Sequence, residues 1–392
     1  MTDVKTLFLE GRIDSNNAAE TEKSLLKSAD ENPGAEIIID AEKLTYISSA
    51  GLRVLMKLRK RSSTPLKILN VSNEVYNILE VTGFTELFDV KKKPREISVD
   101  GCGLIGSGGY GHVYRLDPET IAKIYNPGLT LEFVERERNI SQKAFLMGVP
   151  TAISYDVVKC GDSYGVVYEM LNAETVAQII SKNPERIPEI CGQCAELLKT
   201  LHQIVPGNDS GLPDRKRDIL SWLDSVAGSI TEEEAGKIRA FIEGIPDRNT
   251  FLHGDFNSKN IMVRDGEFQL IDIGDAAIGH PVFDIVGLML AYIILPQSTA
   301  GRYTPEERRG LLGFDLERAS EVWRTMCGTY FGLSSQAEID AQTQLLMPFC
   351  TLMGTCHGFR LYANDPKIQG LLIQSIKERL IPAIENAKPL NF

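Results

Sequence analysis

This 392-residue chain lacks long basic runs, a cysteine framework and any apolar stretch long enough to span a bilayer. It carries 42 Lys and Arg against 53 Asp and Glu, a formal net charge of −11. The run Lys91-Lys92-Lys93, just before Pro94, reads as a solvated linker between domains. An acidic chain without a basic patch argues against a nucleic-acid partner. The longest apolar run, Ile285 to Leu295, is too short to cross a membrane and suits a buried helix. The seven cysteines, an odd number, follow no disulfide or zinc spacing. Cys191 and Cys194 do form a C-x-x-C, but both fall on the helical apolar repeat of Ile187, Ile190, Leu198 and Leu201. They are expected as packed core residues. No charged-then-apolar leader precedes the first strand, so the expected location is a reducing cytoplasm. The length predicts two domains, or three if one is bilobed.

The richest segment is His253-Gly254-Asp255-Phe256-Asn257-Ser258-Lys259-Asn260, followed by Leu270-Ile271-Asp272-Ile273-Gly274-Asp275. The first reads H-x-D-x-x-x-x-N and the second D-x-G. Phosphoryl transfer relies on positioning and charge neutralisation, so its working residues are carboxylates and amides on short loops. Asp255 is the candidate base for an attacking hydroxyl, and Asn260 and Asp272 are the candidate metal ligands. Between them Ile261-Met262-Val263 and Phe268-Gln269-Leu270 read as a hairpin around Arg264-Asp265-Gly266-Glu267. Such a hairpin brings Asn260 and Asp272 together at one end.

Upstream, Gly106, Gly108, Gly111 and Val113 fit G-x-G-x-x-G-x-V. Glycines let backbone approach phosphates, and Val113 is placed to cover a purine. A dinucleotide-binding loop requires a helix next. Here Val113-Tyr114-Arg115-Leu116, a turn and Ile121-Ala122-Lys123-Ile124-Tyr125 follow instead, which is strand, turn, strand. Lys123, mid-strand, is the candidate phosphate ligand. Helical spacing sets Glu137 on the apolar face of Phe133, Ile140 and Ala144, where a carboxylate needs a partner. Lys123 is the expected one. The strand Tyr164 to Leu171 leaves toward a connection in which Glu169 and Leu171 present backbone groups to an adenine edge; an ordinary buried strand end is the alternative. Tyr330, Phe331, His357, Arg360 and Tyr362, in the helical C-terminal part, are candidates for an acceptor pocket. His357 and Arg360 share a helical face suited to an anion, or to a plain surface pair.

From about Gly101 onward the chain resembles the aminoglycoside phosphotransferase and choline kinase branch of the protein-kinase-like fold. The carrying residues are His253-Gly254-Asp255-Phe256-Asn257, Gly279-His280-Pro281-Val282-Phe283-Asp284 and Leu201-His202. Gly254 and Asn257 stand where protein kinases typically have Arg and Lys. The resemblance implies a two-lobed α+β fold using ATP and Mg2+, with residues 101–172 as the N-lobe and 173–392 as the helical C-lobe. It also implies a hydroxyl acceptor and a structural brace at Asp284.

Residues 1–95 read differently. Strands at Thr6–Asp14, Ala35–Asp40 and Leu66–Val71 alternate with helices, and Ser15 is expected to cap the first helix. Leu9-Glu10-Gly11-Arg12-Ile13-Asp14, Ser48-Ser49-Ala50-Gly51-Leu52 and Thr82-Gly83-Phe84 resemble the STAS family of anti-sigma-factor antagonists. The resemblance implies an α/β domain with a phosphorylated serine before its second helix. Ser49 takes that place and Ser48 is the second choice, although Ser48 stands where the family usually has Asp. Helix capping accounts equally well for both serines. Residues 96–100 are left as a linker. The expected whole is a STAS domain joined to an ATP- and magnesium-dependent kinase. Its acceptor is a small-molecule hydroxyl or the chain's own STAS serine. The rival is a signalling adaptor that binds an anti-sigma-factor-like protein and only senses nucleotide.

Overall fold

A computed structural model describes residues 4–61, 66–207, 210–299 and 304–392. They form two compact units, one of residues up to Ser98 with Val158–Asp162, the other of Val99–Val157 with Ser163–Phe392.

The first unit contains β1 (Val4–Ile13), α1 (Ala18–Asp30), β2 (Glu36–Ile47), α2 (Ser49–Arg59), β3 (Lys67–Val71), α3 (Asn73–Val81), α4 (Phe84–Leu87), β4 (Asp89–Lys92) and β5 (Arg95–Glu96). Strands β1 to β4 lie in sequence order, each parallel to the next. Parallel neighbours need crossovers, and the intervening helices supply them. Leu7, Leu9, Ile39 and Ile68 from the strands bury against Leu25, Leu52, Leu55 and Leu58 from the helices. Two expectations fail here. Ser15 does not cap α1: the helix begins at Ala18, and Asn17 instead ties the turn, accepting from the Asp14 amide and donating to the Arg12 carbonyl. Nor is Lys91-Lys92-Lys93 a hinge. Lys91 and Lys92 belong to β4, the Lys93 amide donates to the Val71 carbonyl, and the Lys92 ammonium lies over the Tyr76 ring. The lysines alternate with nothing apolar, so their strand is invisible to hydrophobic patterning.

The second unit opens with β6 (Gly103–Gly108), β7 (Gly111–Arg115), β8 (Thr120–Tyr125), α5 (Leu131–Leu146), β9 (Ser154–Cys160, counted with the first unit from Val158 on) and β10 (Ser163–Glu169). The strands take the order β9-β10-β8-β7-β6. Val113 lies opposite Lys123 across β7 and β8, so the two share one face. Then come β11 (Glu174–Thr175), α6 (Val176–Lys182), α7 (Ile187–Leu201), α8 (Arg215–Val226) and α9 (Glu232–Glu243). Short strands β12 (Thr250–Leu252), β13 (Ile261–Arg264), β14 (Glu267–Leu270) and β15 (Ala277–Gly279) carry the motif loops. Helices α10 (Val282–Met289), α11 (Leu295–Thr299), α12 (Pro305–Leu312), α13 (Ala319–Phe331), α14 (Gln336–Leu361), α15 (Pro366–Ser375) and α16 (Ile381–Glu385) complete it. Cys191 and Cys194 are buried in the helical core, and burial pushes the Cys191 thiol up to about 12. No helix among the described residues is long and apolar enough to cross a membrane.

The glycines of the β6–β7 turn differ in their reasons. A side chain at Gly108 or Gly109 would meet open space. One at Gly111 would collide with the Ile124 carbonyl oxygen of β8. Gly111 therefore serves strand packing. Replacing it with Ala should cost about 2 kcal/mol or more, as overpacking does, whereas Gly108→Ala should leave stability within about 0.5 kcal/mol. Urea unfolding of the two variants checks this.

Candidate active site

Strand β12 ends at Leu252 and delivers His253-Gly254-Asp255 into the catalytic-type loop. Asp284, on the first turn of α10, holds that loop from below. Its Oδ2 accepts the His253 amide and its Oδ1 the Gly254 amide, both at 2.8 Å. Oδ2 also lies 3.2 Å from His202 Nε2, and Tyr330 Oη lies 2.7 Å from His202 Nδ1. Burial alone would raise the Asp284 carboxyl, but His202 and these amides outweigh it and hold it below the usual range. Gly254 has φ +85°, and a side chain there would strike the Asp275 carbonyl. Only glycine fits, which explains why no arginine can precede Asp255 in this chain.

Asp255 is gripped from two sides. Asn257 Nδ2 donates to Oδ1 at 3.0 Å and Asn260 Nδ2 to Oδ2 at 2.8 Å. Burial pushes the Asp255 carboxyl above its ordinary value, His253 and the two amides oppose the rise, and Asp272 adds to it. The hairpin forms in the expected register, with Ile261 opposite Leu270. The Ile271 amide donates to the Asn260 carbonyl at 3.0 Å, which sets Asp272 beside Asn260 along the chain. Asp272 itself has φ 57° and ψ 50°, a left-handed conformation uncommon for a side-chain-bearing residue.

Lys123 reaches Asp272 and forms an ion pair with it. Burial pulls the Lys123 ammonium down, but Asp272 and its neighbours outweigh it and leave it above the ordinary lysine value. The expected direct Lys123–Glu137 pair is not the one observed. Glu137 lies over Gly274, where a side chain would clash with its carboxylate, and accepts from Tyr125 Oη at 3.3 Å. Its field still reaches Lys123, and burial raises its own carboxyl. Amphipathic spacing correctly turned Glu137 inward but could not choose between two nearby carboxylates for one lysine. Val113 faces Gly106 across the β6–β7 pair. At the other strand end, the Glu169 amide donates to Ile153 and the Met170 amide to Glu119. Leu171 is buried, and its amide has no backbone partner among the described residues.

Two side chains, Tyr292 and Arg215, and the pairing of Asp275 with Arg360 escaped the sequence reading. Tyr292, in a π-helical turn after α10, accepts the Ser258 amide at 2.7 Å. Arg215, at the start of α8, donates to the Asp275 carbonyl at 2.6 Å. Asp275 pairs with Arg360 of α14 at 3.0 Å. None follows a local pattern, since each joins segments far apart in the chain. Of the pocket candidates, Tyr330 and Phe331 pack into the helical core, Phe331 against Phe392. His357, Arg360 and Tyr362 are exposed.

A model of the phosphotransferase enzyme family matches residues 103–322, more than half of the chain. The chain belongs to the phosphotransferase enzyme family. A STAS-domain model matches residues 2–97. The candidate anti-sigma factor antagonist BtrV of Bordetella bronchiseptica is 32% identical over 85 residues, 21% of this chain and 72% of that protein. Among solved structures, the ADP-bound aminoglycoside phosphotransferase APH(2'')-Ib superposes with a TM-score of 0.47 at 15% identity, over 72% of this chain and 94% of that one. A choline/ethanolamine kinase family protein from Mesorhizobium loti gives 0.44 at 15%, over 72% and 92%. Superpositions this loose say nothing of substrate. This phosphotransferase thus carries a STAS domain ahead of its family domain.

The phosphotransferase loop depends on Asp284. Truncation by Asp284→Ala strands two amides and His202 without an acceptor, and should cost about 3–5 kcal/mol in urea unfolding of the second unit. Because its folded pKa is depressed, the wild-type contribution is full above the ordinary aspartate pKa of about 3.9 and fades as pH falls below it. The stability gap between wild type and variant should therefore narrow at low pH.

Proposed function

We propose that this phosphotransferase moves the γ-phosphoryl group of ATP, with magnesium, to a hydroxyl. The observation that carries the reading is the grip on Asp255. Both Asn257 and Asn260 donate to its carboxylate, so it is oriented as an acceptor for one more proton. The donor set suits the metal. With the Asn260 nitrogen committed to Asp255, its Oδ1 remains for a cation, and Asp272 adds a second hard oxygen. Two protein oxygens plus nucleotide phosphates match the sparse coordination that magnesium prefers. Magnesium, when bound, would supply charge neutralisation at the phosphate oxygens.

The remaining steps belong to the chain. The β6–β7 turn offers Gly106 and Gly108 as backbone for the phosphates, Val113 covers the base, and the Glu169–Leu171 connection meets its edge. Lys123, only 16% exposed, turns from Asp272 to the phosphate chain. Glu137 biases Lys123 through its field rather than by direct contact. Asp255 Oδ takes the proton of the acceptor hydroxyl as its oxygen bonds to phosphorus and the bond to the leaving β-phosphate oxygen breaks.

A second acceptor is Ser49 of the STAS domain, for which the structure offers a specific feature. Ser48 accepts the Ala50 amide and caps α2, leaving Ser49 exposed as the first helical residue. A phosphate there meets the positive end of the helix. An anti-sigma-factor-like protein is the partner class for that surface.

Incubation with labelled ATP separates the readings. Asp255→Ala should lower transfer about 100-fold or more with nucleotide binding retained. Lys123→Met should also lower turnover by orders of magnitude without unfolding. Label on the protein that vanishes in Ser49→Ala assigns the acceptor to the STAS serine. Nucleotide binding with neither label nor turnover would sink the enzyme reading and leave a nucleotide-sensing adaptor.

A further inference from the structure

Resting on the phosphotransfer reading, the geometry points to residues 387–392 as a strap whose Phe392 positions Asp255, acting through His280, α10 and Asp284. Residues 387–392 form neither helix nor strand, and Leu390 and Phe392 pack against the helical core. The Phe392 ring meets two partners edge-on. Its centre lies 4.9 Å from that of Phe331 in α13 and 5.2 Å from that of His280.

His280 is buried, and both of its ring nitrogens are in use. Nδ1 accepts the Val282 amide at 3.1 Å. The ring proton therefore sits on Nε2, which donates to the main-chain oxygen of Phe392 at 2.9 Å. Burial, opposed by the Phe392 contact and aided by the charges of Arg248, His202 and Lys216, holds the imidazole below its ordinary pKa. The neutral ring that this bonding requires is thus the favoured one. Val282 opens α10, and the residue before it, Pro281, has no side chain to cap the free amides there. His280 supplies the missing acceptor. Asp284 lies in the same first turn. On the other side of His280, β15 ends at Gly279, opposite Thr250 of β12, the strand that leads into His253. His280 therefore joins the strand pair to the helix whose carboxylate holds the His253 and Gly254 amides.

A second route from Phe392 ends at the same carboxylate. Phe331 adjoins Tyr330, Tyr330 Oη lies 2.7 Å from His202 Nδ1, and His202 Nε2 lies 3.2 Å from Asp284. Phe392 thus touches both supports of Asp284. Segments without regular hydrogen bonding open first, so the strap is separable from the core it lies on. A mere apolar plug would lower stability when removed and leave the loop before Asp255 as it is. A strap sets that loop as well.

Substitutions in the full chain test this. Phe392→Ala removes the ring contacts. His280→Asn keeps an acceptor for the Val282 amide but is too short to reach Phe392. In hydrogen exchange, the His253 and Gly254 amides should exchange about tenfold faster in Phe392→Ala, while those of α5 keep their rates. Unchanged exchange at these two amides overturns the proposal. In labelled-ATP transfer, kcat per nucleotide-binding site should fall about tenfold in each single variant and no further in the double variant. The KM for ATP should stay within about twofold. Phe392→Tyr, which keeps the ring, should recover most of the rate. A wild-type kcat in Phe392→Ala, or losses that multiply in the double variant, overturns the proposal. Faster exchange in a chain that binds nucleotide but transfers nothing keeps the strap and removes the phosphotransfer reading instead.

Discussion

One buried carboxylate organises the phosphotransferase unit. Asp284 is removed from water, and it stays charged because two loop amides and His202 replace its hydration. Those amides belong to the two residues before Asp255. The position of the proposed base is therefore set by a helix thirty residues later in sequence. His202 carries the same constraint back to α7, and Tyr330 carries it to α13. A carboxylate on a loop gains rigidity from a helical core in this way, without lengthening the loop or adding a disulfide.

Above that base, charge is arranged in layers. Lys123 and Asp272 meet directly, with Glu137 close enough to be felt by both. Further toward solvent, Arg360 and Asp275 form a second and more exposed pair. In the inner pair only Lys123 is shielded, 16% exposed against 47% for Asp272, while both members of the outer pair face water. The STAS unit is built on a different economy. Its parallel strands bury apolar residues on helices, and the Ser48 cap leaves Ser49 at the helix start and open to solvent. A modification at that point would alter the charge of a surface without disturbing the core beneath it.

Much of this was legible in the residues alone because the relevant physics is local. Strand alternation, turn residues and the run from Asn260 to Asp272 determined the hairpin. Spacing along α5 determined that Glu137 faces inward. The Gly254 requirement is likewise local, since a short loop with one positive φ admits few residues. What only the tertiary structure decided were contacts between segments distant in the chain. It gave Lys123 to Asp272 rather than Glu137, put Lys91 and Lys92 into a sheet strand rather than a hinge, and put Tyr330 into the core rather than a pocket. It also brought Arg360 across to Asp275, 85 positions away. Local propensity acts over a few residues, while the choice of partner for a charge depends on which surfaces packing brings within a few ångströms. That choice belongs to the fold as a whole.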